Sequence, residues 1–359
     1  MARESHGYVL IKNCWKFLFF FALSSCLTQV DLGTDNIGGR LVISGQISTI
    51  ADQNIIQVGT TADTERLPFP LSGAWVSVTD EQSEEIHLYS EDPFSPGSYI
   101  LEDFQGTPGR SYYLTVIAPN GREYRSDSQQ IPDDVGTIGA TFDFNLEQYT
   151  DFEGIVTEQP FMKIYASSVV PSSDSPIYLK WQVDEAFLLS PTDFPDPFGS
   201  VPPPCFIVQN ADPQRIVVLN GEFLNVSNID NLLVCSRIVD WSFLEKHTFS
   251  LVQTSFSKNA FAYWQNVHVL ANQVGSIFDT PPAEIKGNIL SINLPGEKVY
   301  GYFQAVNQVY TRFTTYPNDL PFPVPYNACT YSYTRNEYPS RCLDCSLVRN
   351  STSRRPVWF

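Results

Sequence analysis

The chain has 359 residues, 22 of them basic and 39 acidic, for a formal net charge of −17. That balance argues against nucleic acid or an anionic headgroup surface as partner, since phosphate recognition needs the opposite sign. The length suits about two domains, and 25 Phe, 18 Tyr and 6 Trp among 26 Pro and 20 Gly describe short, turn-punctuated strands.

The first residues set Arg3, Lys12 and Lys16 against Glu4 alone, with an apolar run formed by Trp15 and then Phe17 to Leu23. This run is far shorter than the roughly 20 residues that span a bilayer as a helix. A positive start, a short apolar centre and small residues at its end describe an export signal. Its last residues, Leu23-Ser24-Ser25-Cys26, resemble the bacterial lipobox. In that motif the thiol takes a diacylglyceryl group, and a peptidase that admits only small side chains cuts just before it. The expectation is a signal over 1–25, lipidation at Cys26 and a polar tether over 26–38. Removing 1–25 leaves 19 basic against 38 acidic residues, a formal charge of −19. Each buried CH₂ contributes roughly 0.8 kcal/mol, so several acyl chains on one cysteine make a lasting anchor.

Strand signals begin at once after the tether. "LVISGQI" from Leu41 is apolar and β-branched, and Asn54 to Val58 follows. In "GAWVSVTD", Ala74, Val76 and Val78 alternate with Trp75, Ser77 and Thr79, the period of a half-buried strand. Asp80 to Glu85 reads as a turn, His87 to Tyr89 as resumed strand, and Gly97 to Leu101 as the next. Ser111 to Ile117 and Arg122 to Ser126 flank Pro119-Asn120-Gly121, a strong hairpin signal. This series resembles the small prealbumin-like or Ig-like sandwich modules of exported proteins. It predicts an N-terminal β-sandwich over 39–147.

The remainder, 148–359, is expected to be a second β-rich domain. "PIYLKWQV" from Pro176 resembles the fibronectin-III-type strand whose tryptophan, here Trp181, fills the core. A Pro-rich loop runs from Pro191 to Pro204, and strands resume at Arg215–Leu219 and His247–Thr254. One helix is predicted over about 258–274, with Ser257 able to cap its start and Gly275 to close its end. Ala260, Tyr263, Val267, Leu270 and Val274 define the face it lays on a sheet, widened by Phe261 and Trp264. The fold class is therefore mainly β, two sandwiches with a single helix.

Beyond Cys14 and Cys26, five cysteines remain: Cys205, Cys235, Cys329, Cys342 and Cys345. Disulfides are the default for an exported chain. Cys205 could close a loop with Cys235, and Cys329 could pair with Cys342 or Cys345, leaving one thiol free. Cys342-Leu343-Asp344-Cys345 has the spacing of zinc and redox motifs. Yet His87, His247 and His268 are scattered without ligand spacing, and a redox motif normally opens a helix. A structural disulfide role is expected, with no metal and no cofactor.

Several stretches in fixed order resemble a Bacteroidota lipoprotein family classed only as a domain of unknown function, the 4249 type. They are "LVISGQI", "LSGAWVSVTD", "PGRSYYLTVIAPNGREYRS", "IYLKWQVDEAF", "AYWQNVHVLANQVGSIFDTPPAEIKGNI", "VYGYFQAVN" and "CLDCSLVRNSTSRRPVWF". The resemblance implies a lipid-anchored outer-membrane protein, encoded beside a TonB-dependent receptor and acting as its accessory or ligand-capture partner. It implies no catalytic residues. The expected location is the cell surface, with the periplasmic face as the alternative, since only Asp31 is acidic directly after Cys26. Phe194, Phe198, Phe322 and Tyr326 on Pro-rich loops would meet a partner or ligand, or else pack their own loops. A structural or adhesive surface protein is the second reading. An enzyme is not expected, because G-x-S-x-G, HExxH and P-loop motifs are absent.

Overall fold

Nine strands come first among the described residues. They are β1 (Leu41–Ser48), β2 (Ile55–Thr60), β3 (Phe69–Pro70), β4 (Trp75–Asp80), β5 (Ile86–Glu91), β6 (Ser98–Ile100), β7 (Ser111–Ile117), β8 (Glu123–Ser126) and β9 (Gln129–Gln130). The computed structural model describes residues 39–62, 69–151, 153–170, 176–189, 203–223, 227–272, 285–325, 329, 338–348 and 350–359. The expected signal, Cys26 and tether, together with Phe194, Phe198, Tyr326, Val274 and Gly275, lie outside the described residues.

Val76 and Val78 of β4, Leu114 and Val116 of β7 and Tyr124 of β8 turn inward onto Ile43 and Ile47 of β1 and Ile56 and Val58 of β2. Burying each such side chain contributes about 1.5–3 kcal/mol. Strand β5 joins the two layers, pairing its first residues with β4 and its last two with β6. The Asn120-Gly121 hairpin forms as read. Gly121 takes the left-handed conformation, φ 80°, and Ile117 faces Glu123.

A second set follows: β10 (Thr137–Thr150), β11 (Val156–Val169), β12 (Tyr178–Leu189), β13 (Cys205–Asn210), β14 (Val217–Asn220), β15 (Asn228–Ile238) and β16 (His247–Phe256). Helix α1 (Lys258–Asn272), β17 (Ile289–Ser291), β18 (Phe303–Thr315), the short α2 (Ser340–Leu343) and β19 (Ser351–Thr352) complete the order. Strands β10, β11 and β15 form one layer, and β18, β16, β12, β13 and β19 the other, with β14 also on β12. Trp181 fills the core between them, its indole N–H donating to Gln253 Oε1 at 2.7 Å.

The expected boundary between 147 and 148 falls inside a continuous antiparallel hairpin, β10–β11. Moreover, the first sandwich is not closed by its own residues. Strand β17 pairs with β8, and residues 303–306 of β18 run parallel to β1. From Asn307 onward β18 pairs instead with β16, so one strand serves both sandwiches. Gly301, φ 95°, makes this approach feasible, since a Cβ there would collide with the Ile43 carbonyl oxygen. All of these strands lie in one compact unit, Gly38–Phe359.

Ser257 caps α1 as read, its hydroxyl accepting from the Ala260 amide at 3.2 Å. Ala260, Phe261, Tyr263 and Trp264 pack with Tyr178, Phe256 and Tyr302. The predicted face does not continue, since Leu270 is exposed: only the first two turns lie on the sheet.

Candidate functional site

The cysteines pair across the chain. Cys205 bonds to Cys345 and Cys329 to Cys342, while Cys235 keeps a buried thiol. The Cys205–Cys235 pairing is thus corrected. Cys235 sits on β15, inside the core between the layers, whereas Cys205 opens β13 in the opposite layer and packs with Phe187, Leu189 and Ile207. Burial pushes the Cys235 thiol well above its ordinary range, which makes it unreactive. Cys342 and Cys345 serve different partners, so their spacing joins two staples. Together with β19 on β13 and the Phe206–Phe359 ring contact at 5.2 Å, they fasten the C-terminal tail to a sheet edge.

Strand β12 carries a signal that the sequence reading missed. Its inward positions Leu179, Trp181 and Val183 are followed in register by a charge, Glu185, then by Phe187 and Leu189. Glu185 is fully buried and gathers donors from three other strands. Arg237 Nε of β15 donates at 2.8 Å, Gln209 Nε2 of β13 at 2.7 Å, and His247 Nε2 of β16 at 3.1 Å. Burial works against the charge on Glu185, but the His247 hydrogen bond and the Arg237 charge outweigh it and hold the carboxyl below its usual range. An ionised carboxylate only accepts, so His247 carries its proton on Nε2. Burial, foremost, pulls the His247 pKa below its ordinary value and keeps the ring neutral.

Ser242, His247 and Glu185 repeat the hydroxyl–imidazole–carboxylate order of an acyl-transfer triad. The details do not suit that chemistry. The Ser242 hydroxyl lies 3.5 Å from His247 Nδ1 and already donates to Asp240 at 2.6 Å. Ser242 is 3% exposed, and His247, enclosed by Phe187, Phe243 and Phe249, is 0% exposed. No substrate can reach this group. The cluster cross-links four strands of the second sandwich, with Arg237 also held by Asp240 at 3.1 Å.

The surface feature that stands out belongs to the first sandwich. The face of the β17–β8–β7–β4–β5 layer turned away from the core carries Trp75 opposite Ile117, Leu88 opposite Ser77, Ile86 opposite Thr79 and Leu290 opposite Arg125. Trp75, Ile86, Leu88 and Leu290 are 42–60% exposed, where an outer sheet face is usually polar. Ser77, at the centre, is covered by its neighbours, and its hydroxyl has no hydrogen-bond partner among the described residues. Arg125 lies over the Tyr113 ring at 5.1 Å. Of the aromatics singled out on loops, Phe322 packs on the second core, edge-on to Phe144 at 6.0 Å.

No group of three or more His, Cys, Asp or Glu residues placed to hold a metal occurs among the described residues. Among these residues, too, no helix is long and apolar enough to cross a membrane. No curated protein matches the chain. The profile of one family, described as a domain of unknown function (DUF4249), matches residues 28–312, most of the chain and nearly all of both sandwiches. The protein therefore belongs to the DUF4249 family.

Proposed function

We propose that this protein is an outer-membrane lipoprotein of the Bacteroidota type, anchored through Cys26. In this reading it is the accessory or ligand-capture partner of a TonB-dependent receptor, held on the cell surface. The Leu23-Ser24-Ser25-Cys26 motif supports the anchor, and the resemblance of the chain to lipoproteins encoded beside such receptors supports the partner. The observation that carries the reading is the apolar outer face of the first sandwich. Trp75, Ile86, Leu88, Ile117 and Leu290 gather on one sheet in a strongly acidic protein, which is how a protein–protein contact is built.

The test is capture of the tagged protein from its native membranes in mild detergent, beside the double variant Trp75→Lys/Leu290→Lys. A TonB-dependent receptor recovered in stoichiometric amount with the wild type, and reduced at least tenfold with the variant, is expected. Wild-type protein recovered alone, under conditions that keep other outer-membrane complexes intact, overturns the uptake reading in favour of an adhesive role. The Cys26→Ala variant is expected in the soluble fraction, and its full retention on membranes would remove the anchor.

A further inference from the structure

Strand β12 has two neighbours on the side away from β16. Residues 184–189 pair with β13 and residues 178–181 with β14. The tail strand β19 covers the outer edge of β13, whereas among the described residues no strand pairs with the outer edge of β14. Beside that edge lies a cleft of about 720 Å³. Its walls are β14 with the turn before it, including Arg215, and the α1 residues Phe261, Gln265 and His268. Those three recur at spacings of four and three, along one stripe of the helix.

The phase of the ladder tells which backbone groups face the cleft. The Gly221 amide donates to the Ile177 carbonyl at 2.9 Å. Hydrogen-bonded and non-hydrogen-bonded pairs alternate in an antiparallel ladder. Leu219 and Val217 therefore bond to Leu179 and Trp181, while Val218 and Asn220 turn their N–H and C=O groups to the open side. Arg215 stands at the N-terminal end of this edge. Its Nε donates to Asp212 Oδ2 at 3.1 Å, and the same oxygen accepts the Ser236 amide at 2.9 Å. The guanidinium is thus held in place, and its terminal NH₂ groups make no hydrogen bond among the described residues.

We infer that this cleft binds a short extended peptide with a free C-terminal carboxylate. The peptide adds to β14 as a strand, with its carboxylate on Arg215 and alternate side chains against Phe261, Gln265 and His268. Strand addition draws affinity from main-chain hydrogen bonds and specificity from alternate side-chain pockets. Because Arg215 precedes β14, the peptide runs antiparallel to it. The four residues of β14 match about 13 Å of extended chain, a tetrapeptide, and a cleft of this size suits a small ligand. The sheet already uses this mode once, where β19 adds to β13. The site shares no residue with the apolar face of the first sandwich, and the inference stands whether or not the uptake reading does.

The probe is a randomised tetrapeptide pool with free carboxylates, passed over the immobilised full-length protein and read by mass spectrometry, beside the same pool amidated at its C-terminus. A retained subset is expected from the acid pool, with at least tenfold less from the amidated pool. Arg215→Ala should abolish the difference between the pools. Val218→Pro removes an amide that faces the open side and leaves the bonds to β12, so it should abolish retention. Should Val218→Pro perturb the melt, selected peptides N-methylated at alternate positions test the same ladder on the wild type. A wild type that retains no tetrapeptide, or retention indifferent to Arg215→Ala and to N-methylation, overturns the inference.

Discussion

The two sandwiches are made of similar strands and held together differently. The first has an apolar interior of Val, Ile, Leu and Tyr, with no disulfide among the described residues, and carries unusual apolar character on its outside. The second has a charged group at one end of its interior, where Glu185, Arg237 and His247 tie strands of both layers together, and a tail stapled by two disulfides. The difference concerns what each interior tolerates. The first loses stability through cavities. The second loses it through unpaired charge, acid or reduction. A surface freed from holding the fold, as on the first sandwich, is available to meet another molecule.

The sharpest way to break the comparison is to damage each core by its own mechanism. Glu185→Ala takes from the buried Arg237 its buried carboxylate and leaves it the half-exposed Asp240, and we expect a loss of about 3–5 kcal/mol in urea denaturation. Phe303→Ala opens a cavity in the first core at a similar cost of about 3–5 kcal/mol. The discriminating variant is Glu185→Leu/Arg237→Met, which removes both charges together. It should cost clearly less than Glu185→Ala alone, and an equal cost would mean that the cluster acts by packing and not by charge.

The staples come next. Cys345→Ser opens a link between residues 140 apart, and Cys342→Ser one between residues 13 apart. On chain-entropy grounds each costs about 2–4 kcal/mol, the longer link more. Thermal melts under oxidising conditions should place Cys345→Ser below Cys342→Ser. The reverse order would show that contacts of the short loop, and not chain entropy, dominate.

Acid should act more gently, and on the second sandwich. His247 is neutral in the fold, with its pKa pulled below the ordinary 6.5, and Glu185 is ionised, with its carboxyl held below the ordinary 4.5. The unfolded chain therefore takes up protons that the folded chain refuses. Stability from His247 is complete above pH 6.5 and is lost as pH falls from there towards its folded value. The part due to Glu185 is lost only below pH 4.5. His247→Gln keeps an N–H donor for Glu185 but cannot titrate. Its melting temperature should stay flat between pH 6.5 and 5, where that of the wild type falls. Parallel pH profiles would exclude His247 as the sensor.

Much of the local structure was legible in the sequence because its cause is local. The alternation of Val76 and Val78 with Trp75 and Ser77, the Asn120-Gly121 turn, the Ser257 cap and the core position of Trp181 each depend on a few neighbouring residues. The same alternation, followed two residues beyond Val183, would have marked Glu185 as an inward charge in need of partners. Those partners were not legible. Arg237 and His247 lie 52 and 62 residues further on, and only strand pairing brings them to one point.

The sequence by itself determined several of the strands, such as β1, β4, β7 and β12, the turn at Asn120-Gly121, the start of the helix and the membership in the DUF4249 family. Patterning, capping and turn chemistry act over a handful of residues, and the family signature is linear. The tertiary structure alone decided that Cys205 meets Cys345 and not Cys235, that β17 and β18 complete a sandwich begun more than 200 residues earlier, and that β14 has no strand on its outer edge among the described residues. These choices depend on which distant strands share a sheet. That is set by the joint burial of both cores, a property of the whole chain that no window of sequence contains.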